Sequence, residues 1–144
     1  MVGVGAAVRP GASAMRVLFV EDNEVNRRVV REMLRAGEIE MAEAEDAETG
    51  LRMVQENEYD LVLMDLRMPG MDGLTAIRQI RARDDAKADV PIIVVTADAG
   101  SSIEADCKDA GADDLILKPV SMTTLFNTIG TLIARRSQSS ALLA

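Results

Sequence analysis

Five short runs of strand character alternate with segments whose apolar residues recur at helical spacing, and this alternation restricts the fold more than any other feature. The runs occupy residues 15–20, 39–44, 60–65, 91–96 and 114–117. Strands that alternate with helices build a parallel sheet covered by helices on both faces. The segment between Asp60 and Asp65 is apolar throughout, as is typical of a strand buried on both faces. The sequence therefore predicts one α/β domain, a doubly wound (βα)5 unit with a single five-stranded parallel sheet.

The domain boundaries follow from the extent of this pattern, which covers residues 15–136. Residues 1–14 are rich in Gly and Ala and lack the charged start and continuous apolar stretch of a secretion signal, so a flexible N-terminal tail is expected. Residues 137–144 are expected to fray as a C-terminal tail. No apolar run reaches the roughly 18–20 residues of a membrane span, so no membrane partner is expected.

The composition argues against several classes of function. The formal net charge is −8 and aromatic residues make up 2% of the chain, whereas nucleic-acid-binding surfaces are basic and often carry aromatic stacking platforms. The absence of histidine excludes Ser-His catalysis and His-liganded zinc. Cys107 is the only cysteine, so no internal disulfide can form, and a reducing, cytoplasmic location is expected.

Polar residues follow four of the five predicted strands. Glu21 and Asp22 follow the first, Asp65 the third, Thr96 the fourth and Lys118 the fifth. In open parallel α/β sheets the functional site lies outside the carboxyl ends of the strands, where the strand order reverses. The second strand ends away from this group if the order is flavodoxin-like. The sequence thus predicts that three carboxylates, one hydroxyl and one ammonium converge at one edge of the sheet.

This set of groups suits phosphoryl transfer. Carboxylates a few Å apart repel one another unless a cation lies among them, and oxygen ligands without His or Cys favour Mg²⁺, with Mn²⁺ as an acceptable substitute. A central carboxylate can act as a nucleophile and form an acyl phosphate. We therefore predict that Asp65 is the phosphoacceptor, that Mg²⁺ and Lys118 neutralise the phosphoryl oxygens, and that Thr96 donates a hydrogen bond to one of them. Each residue alone has an ordinary structural explanation, and the prediction depends on their joint pattern.

Four stretches of the chain resemble the receiver domain of two-component response regulators. They are VEDNEVNR at 20–27, DLVLMDLRMPGMDG at 60–73, VVTA at 94–97 and DDLILKP at 113–119. The resemblance extends over about residues 15–136, and the first stretch is of the kind common in receivers attached to, or served by, hybrid histidine kinases. It implies the flavodoxin-like strand order 2-1-3-4-5 and Asp65 as the phosphoacceptor.

The resemblance also implies roles for residues around Asp65. Asp22 would bind Mg²⁺ directly, Glu21 through water, and Arg67 through its backbone carbonyl. The switch that senses the phosphoryl group would comprise Thr96, Ala97, Leu115, Lys118 and Pro119, with a cis peptide bond between the last two.

Leu115 departs from the family pattern, because this position, three residues before Lys118, usually carries Tyr, Phe or His. Leucine cannot reproduce the inward turn of an aromatic ring that accompanies movement of Thr96, so readout through backbone or loop ordering is expected instead.

A second prediction concerns Arg67 and Asp98, which lie two residues beyond Asp65 and Thr96. We expect these two to form an ion pair that limits water access and so sets the lifetime of the acyl phosphate.

The predicted function is that of a single-domain response regulator. It accepts a phosphoryl group from a sensor histidine kinase or phosphotransfer protein, and either binds an unidentified downstream protein or acts as a phosphate shuttle or sink, as a monomer or weak homodimer. A degenerate receiver that serves as a phosphorylation-independent interaction module is the alternative, and a receiver cut from a larger hybrid kinase is a further one. A phosphatase is disfavoured because Arg67 stands where that class has a second acid. No enzymatic activity is expected beyond self-phosphorylation from a donor and slow self-dephosphorylation.

Overall fold

A computed structural model of the chain describes residues 15–143, with side chains as far as Ser137, so the predicted N-terminal tail at 1–14 lies outside the described residues. The strands are β1 (Arg16–Val20), β2 (Glu40–Ala44), β3 (Leu61–Asp65), β4 (Ile92–Thr96) and β5 (Asp114–Leu117). The helices are α1 (Glu24–Ala36), α2 (Ala47–Glu56), α3 (Gly73–Arg81), α4 (Ser101–Ala110) and α5 (Met122–Leu143), and a short 3₁₀ helix, Ala86–Asp89, precedes β4.

Helix α5 continues to Leu143, through residues for which the sequence predicts fraying. Neither Gly nor Pro occurs between Ser137 and Leu143, and Ala and Leu at 141–143 favour helix, so nothing in the local sequence ends the helix earlier. Among the helices of residues 15–143, none is long and apolar enough to cross a membrane.

The five strands form one sheet in the order β2-β1-β3-β4-β5, and every neighbouring pair is parallel. This confirms the predicted doubly wound fold and strand order. The order reverses between β1 and β3, because the chain leaves β1 for one edge of the sheet and then crosses back to β3. The crevice beyond the carboxyl ends of these two strands is therefore the expected site.

Two aliphatic clusters cover the two faces of the sheet. Successive side chains of a strand point to opposite faces, so β1 contributes Leu18 and Val20 to one cluster and Val17 and Phe19 to the other. Helices α2, α3 and α4 pack on the first face, and α1 and α5 on the second. All five residues of β3 are buried, which matches its uninterrupted apolar sequence. Asp65, the last residue of β3, is thereby fixed at the end of a fully buried strand.

Candidate functional site

Three carboxylates meet at the predicted edge of the sheet. One oxygen each from Glu21, Asp22 and Asp65 lies within 4.8 Å of the others. Glu21 and Asp65 are buried, with 1% and 3% of their surface exposed, whereas Asp22 is exposed. The cluster thus has two buried acids beneath one that faces solvent.

Lys118 reaches into this cluster from the end of β5. Its Nζ lies 2.9 Å from Oε1 of Glu21 and 3.4 Å from Oδ1 of Asp65. The contact with Glu21 is an ion pair that lacks hydrogen-bond geometry, so Oε1 is a fully buried oxygen without a hydrogen-bond partner among the residues that the structure describes. The peptide bond between Lys118 and Pro119 is cis, as the resemblance implies.

The pKa values around the cluster show how its charges interact. Burial, followed by the negative charge of Glu21, raises the pKa of Asp65 to about 6. Burial also acts to raise the pKa of Glu21, but Lys118 and the backbone N–H of Asn23 outweigh it, so the pKa of Glu21 is lowered. The pKa of Lys118 is raised, because its two acidic neighbours outweigh the effect of its burial. Lys118 therefore stabilises the ionised form of Glu21, but it does not offset the effects of burial and of the Glu21 charge on ionised Asp65.

The donor set at this edge fits a hard divalent cation. All the charged oxygens belong to carboxylates, and the oxygen-only environment is the kind that Mg²⁺ prefers. The charge balance supports the same assignment, because Lys118 alone, within the part of the chain that the structure describes, faces three carboxylates, and carboxylates this close repel one another unless a further cation lies among them.

Thr96 lies on the neighbouring strand, one residue beyond Val95, which pairs with Asp65 in the sheet register. The Thr96 residue is buried, and its hydroxyl oxygen accepts a hydrogen bond from the N–H of Asp98 at 3.1 Å. Its O–H hydrogen can point elsewhere, since a hydroxyl is both donor and acceptor. The next residue, Ala97, is exposed.

Arg67 and Asp98 form the predicted ion pair. Nη2 of Arg67 donates to Oδ2 of Asp98 at 2.6 Å, although 77% of the Arg67 side chain remains exposed. The backbone N–H of Arg67 also points towards Oδ1 of Asp65, at 3.4 Å. The N–H of Gly100 and then the Arg67 guanidinium lower the pKa of Asp98, so the pair is charged at neutral pH. Its effect on water access stays a prediction.

Leu115 is half-buried and packs against the core cluster on the α4 side of the sheet. Ile103 and Ala112 border the same cluster. The position at which the family usually has an aromatic ring is therefore occupied by a half-buried aliphatic side chain that packs against the core. On the same strand, Leu117 is 46% exposed, and Pro119 beyond it is exposed as well.

Two residues of the site were not singled out by sequence reasoning. A Cβ atom at Gly73 would lie 2.3 Å from the carbonyl oxygen of Asp65, so only glycine allows α3 to begin against the backbone of the predicted phosphoacceptor. Arg27 donates to the backbone carbonyl of Glu21 through Nη1 at 2.7 Å. Gly73 is the last residue of the stretch at 60–73 that carries the resemblance, so the sequence did offer a signal for it. Arg27 is likewise the last residue of the stretch at 20–27, but nothing in the sequence indicates that an arginine there binds a backbone carbonyl.

Comparison with known proteins agrees with the geometry. The family model described as "Response regulator receiver domain" matches residues 17–130. The chain is 33% identical over 122 residues to chemotaxis protein CheY-3 of Vibrio cholerae, covering 84% of this chain and 93% of that protein. It is 32% identical over 131 residues to the sensory/regulatory protein RpfC of Xanthomonas campestris, covering 90% of this chain but 18% of that protein.

A solved structure supports the fold. The receiver domain of the sensor histidine kinase PA1611 from Pseudomonas aeruginosa is 35% identical, with a TM-score of 0.77 over 83% of this chain and 98% of that one. That structure has a magnesium ion coordinated in its active-site cleft. The match over most of the domain, together with the acidic cluster at the reversal of strand order, shows that this chain belongs to the family of response regulator receiver domains.

Proposed function

We propose that this receiver domain is a phosphorylation-controlled switch in which Asp65 accepts a phosphoryl group from a histidine kinase or phosphotransfer protein. The observation that carries the proposal is the arrangement of Glu21, Asp22, Asp65 and Lys118, in which, among the described residues, three carboxylates meet a single ammonium at the end of the sheet. Such a cluster is unfavourable by itself, and a divalent cation brings its formal charge to zero before a phosphoryl group arrives.

The residues around the acidic cluster define which groups would bind the metal. The carboxylates of Asp22 and Asp65, the backbone carbonyl of Arg67 and, through water, Glu21 would bind Mg²⁺ or, in its place, Mn²⁺. Bound Mg²⁺ would neutralise negative charge on the phosphoryl oxygens as they approach Asp65.

Asp65 performs the chemical step. One of its carboxylate oxygens forms a bond to phosphorus while the bond between phosphorus and the donor breaks, and the donor keeps that electron pair. With a pKa of about 6, Asp65 is mostly ionised at neutral pH and can therefore act as the nucleophile. Lys118, whose Nζ lies 3.4 Å from Oδ1 of Asp65, is placed to bind a phosphoryl oxygen. Thr96 can offer its O–H hydrogen to another, which would link the chemistry to movement of the loop after β4.

The output of the switch is binding to another protein or transfer of the phosphoryl group onwards. With Leu115 packed against the core, movement of Thr96, Ala97 and the loop beyond them is the proposed route of readout.

Turnover is limited to slow hydrolysis of the acyl phosphate, because Arg67 stands two residues after Asp65 and cannot act as a general acid. If the Arg67–Asp98 pair restricts water, Arg67→Ala accelerates dephosphorylation, and an unchanged rate contradicts that role.

The test is the intact mass of the protein after incubation with acetyl phosphate. The wild type is expected to gain one phosphoryl group in Mg²⁺ and none in EDTA, and Asp65→Asn is expected to gain none. An adduct that persists in Asp65→Asn would place the acceptor elsewhere. No adduct on the wild type, together with no Mg²⁺ binding, would favour the degenerate receiver that acts only as an interaction module.

A further inference from the structure

Both main-chain polar groups of Glu21 are tied to strand β2. The N–H of Glu21 donates directly to the carbonyl oxygen of Ala44 at 2.9 Å. The carbonyl oxygen of Glu21 accepts from Nη1 of Arg27 at 2.7 Å, and Nε of the same guanidinium donates to Oε1 of Glu43 at 2.8 Å. The last two residues of β2 therefore hold the backbone of Glu21 from both sides, although β2 contributes no side chain to the acidic cluster.

Arg27 is suited to this contact by its shape. Its side chain is 13% exposed, and its planar fork donates in two directions at once, which a lysine ammonium on a flexible stem does not reproduce. Glu43 is itself held on its other oxygen by Arg31, one helical turn further along α1. Arg31 therefore shares the helix, the charge and the carboxylate partner of Arg27, and is more exposed at 30%. The structure gives Arg27 the contact with the backbone of Glu21.

The carboxylate of Glu21 needs this support. Lys118 draws Oε1 of Glu21 towards Asp65, a buried group of like charge, while Oε2 accepts a hydrogen bond from the N–H of Asn23 at 3.1 Å. Helix α1 is already attached to the sheet by Val30 and Leu34, which lie in the apolar cluster. A second, polar attachment at the residue that contributes a buried carboxylate to the acidic cluster is more than anchoring of α1 requires.

We propose that Arg27 is a positioning residue for the metal site, which holds the backbone of Glu21 against β2 so that the buried carboxylate stays directed at the cation. This inference rests on the proposed function, because it presupposes that the acidic cluster binds Mg²⁺. Groups that orient metal ligands from behind typically change metal affinity 10–100-fold when removed. We expect about a tenfold loss for Arg27→Ala, since the contact is to the backbone of a residue that binds through water.

The sign of the effect separates positioning from simple electrostatics. Removal of a positive charge beside three carboxylates strengthens cation binding by Coulomb attraction alone. Loss of positioning weakens it. Arg31→Ala removes the same charge from the same helix and leaves the contact between Arg27 and Glu21 in place, so it measures the electrostatic part by itself.

The experiment is a calorimetric titration with Mg²⁺ alone of the wild type, Arg27→Ala, Arg27→Lys and Arg31→Ala, each checked for folding by circular dichroism. We expect about tenfold weaker binding for Arg27→Ala, a smaller weakening for Arg27→Lys, and unchanged or slightly tighter binding for Arg31→Ala. If Arg27→Ala does not fold, Arg27→Lys distinguishes the two explanations. Lysine keeps the positive charge, so a purely Coulombic effect leaves the Mg²⁺ affinity of this variant unchanged, whereas loss of positioning weakens it.

A second readout needs no metal. In EDTA, hydrogen exchange across residues 21–23 is expected to be faster in Arg27→Ala than in both the wild type and Arg31→Ala. Two results overturn the positioning role and leave the proposed function intact. In the first, the wild type binds Mg²⁺ and folded Arg27→Ala binds it equally tightly or more tightly. In the second, hydrogen exchange in Arg27→Ala is no faster than in Arg31→Ala. A wild type that does not bind Mg²⁺ overturns both.

Discussion

The amino and carboxyl ends of the sheet both carry partly enclosed charges, and the two ends treat them differently. At the amino end, the guanidinium of Arg81 donates to the carbonyl oxygens of Gly111, Ala88 and Val90 and to the carboxylate of Asp113, at 2.6–2.9 Å. That carboxylate also accepts the N–H of Ile92 at 2.8 Å. These groups join α3, the 3₁₀ helix, β4 and the loop that precedes β5, and each charge has several partners.

At the carboxyl end, the charges are left partly unsatisfied. Lys118 is the cation that the structure places on the buried pair Glu21 and Asp65, and the pKa of Asp65 is raised while Oε1 of Glu21 has no hydrogen-bond partner among the described residues. An enclosed charge is tolerated in a fold where the protein supplies its partners. Where partners are withheld, stability is lost and a binding site is gained.

The largest expected effect is at the amino end. Arg81→Ala removes the donor to three backbone carbonyls and leaves Asp113 with only the N–H of Ile92 among the described residues, so the free energy of unfolding should fall by about 3 kcal/mol, from several lost hydrogen bonds to a charged group. The measurement is urea denaturation. Arg83→Ala is the matched control, because Arg83 pairs with Asp85 near the surface and its loss should cost less than about 1 kcal/mol. Equal losses in the two variants would remove the distinction on which the comparison depends.

The second effect concerns the partner that the carboxyl end lacks. If Mg²⁺ binds the folded protein and not the unfolded chain, Mg²⁺ at one hundred times its dissociation constant should stabilise the wild type by about 2.7 kcal/mol. Asp22→Asn, which removes an exposed acid from the cluster, should abolish most of that gain. Thermal unfolding with and without Mg²⁺ measures both. Full stabilisation of the variant would mean that the ion binds elsewhere.

The third effect is a dependence on pH in EDTA. Because the pKa of Asp65 rises from an ordinary 3.8 to about 6 on folding, the folded state binds more protons between these values. Stability from this group is therefore fully present below pH 3.8 and is lost as pH rises through about 6. The loss is at most about 3 kcal/mol, and solvent screening reduces it to on the order of 2 kcal/mol. Glu21 has a lowered pKa and acts in the opposite direction, so the difference between wild type and Asp65→Asn isolates Asp65. Parallel profiles of stability against pH for the two proteins would show that folding does not raise the pKa of Asp65.

The same comparison explains what the sequence could reveal. The fold and the groups at the strand ends were predictable, because strand and helix alternate and the carboxyl ends of parallel strands share an edge. The Arg67–Asp98 pair was predictable from two equal spacings beyond Asp65 and Thr96. The bonds of Arg27 and Arg81 were not, because a guanidinium that binds backbone carbonyls leaves no sequence signal at its partners. Gly73 is required by a distance of closest approach, which spacing alone does not reveal.

The smallest effect tests whether location at the carboxyl edge is itself unfavourable. Asp46 lies at that edge, just beyond β2, but its side chain accepts the N–H of Thr49 at 2.7 Å and caps α2, and this hydrogen bond lowers its pKa. Asp46→Ala should therefore cost about 1 kcal/mol, and Asp46→Asn, which can still cap, only a few tenths. In EDTA at neutral pH, Asp65→Asn should instead be at least as stable as the wild type, because it removes a buried charge that lacks sufficient partners. Urea denaturation of the three variants places two acids of one edge side by side. A gain in stability from Asp46→Ala would mean that the edge, rather than the supply of partners, determines the cost of an acid there.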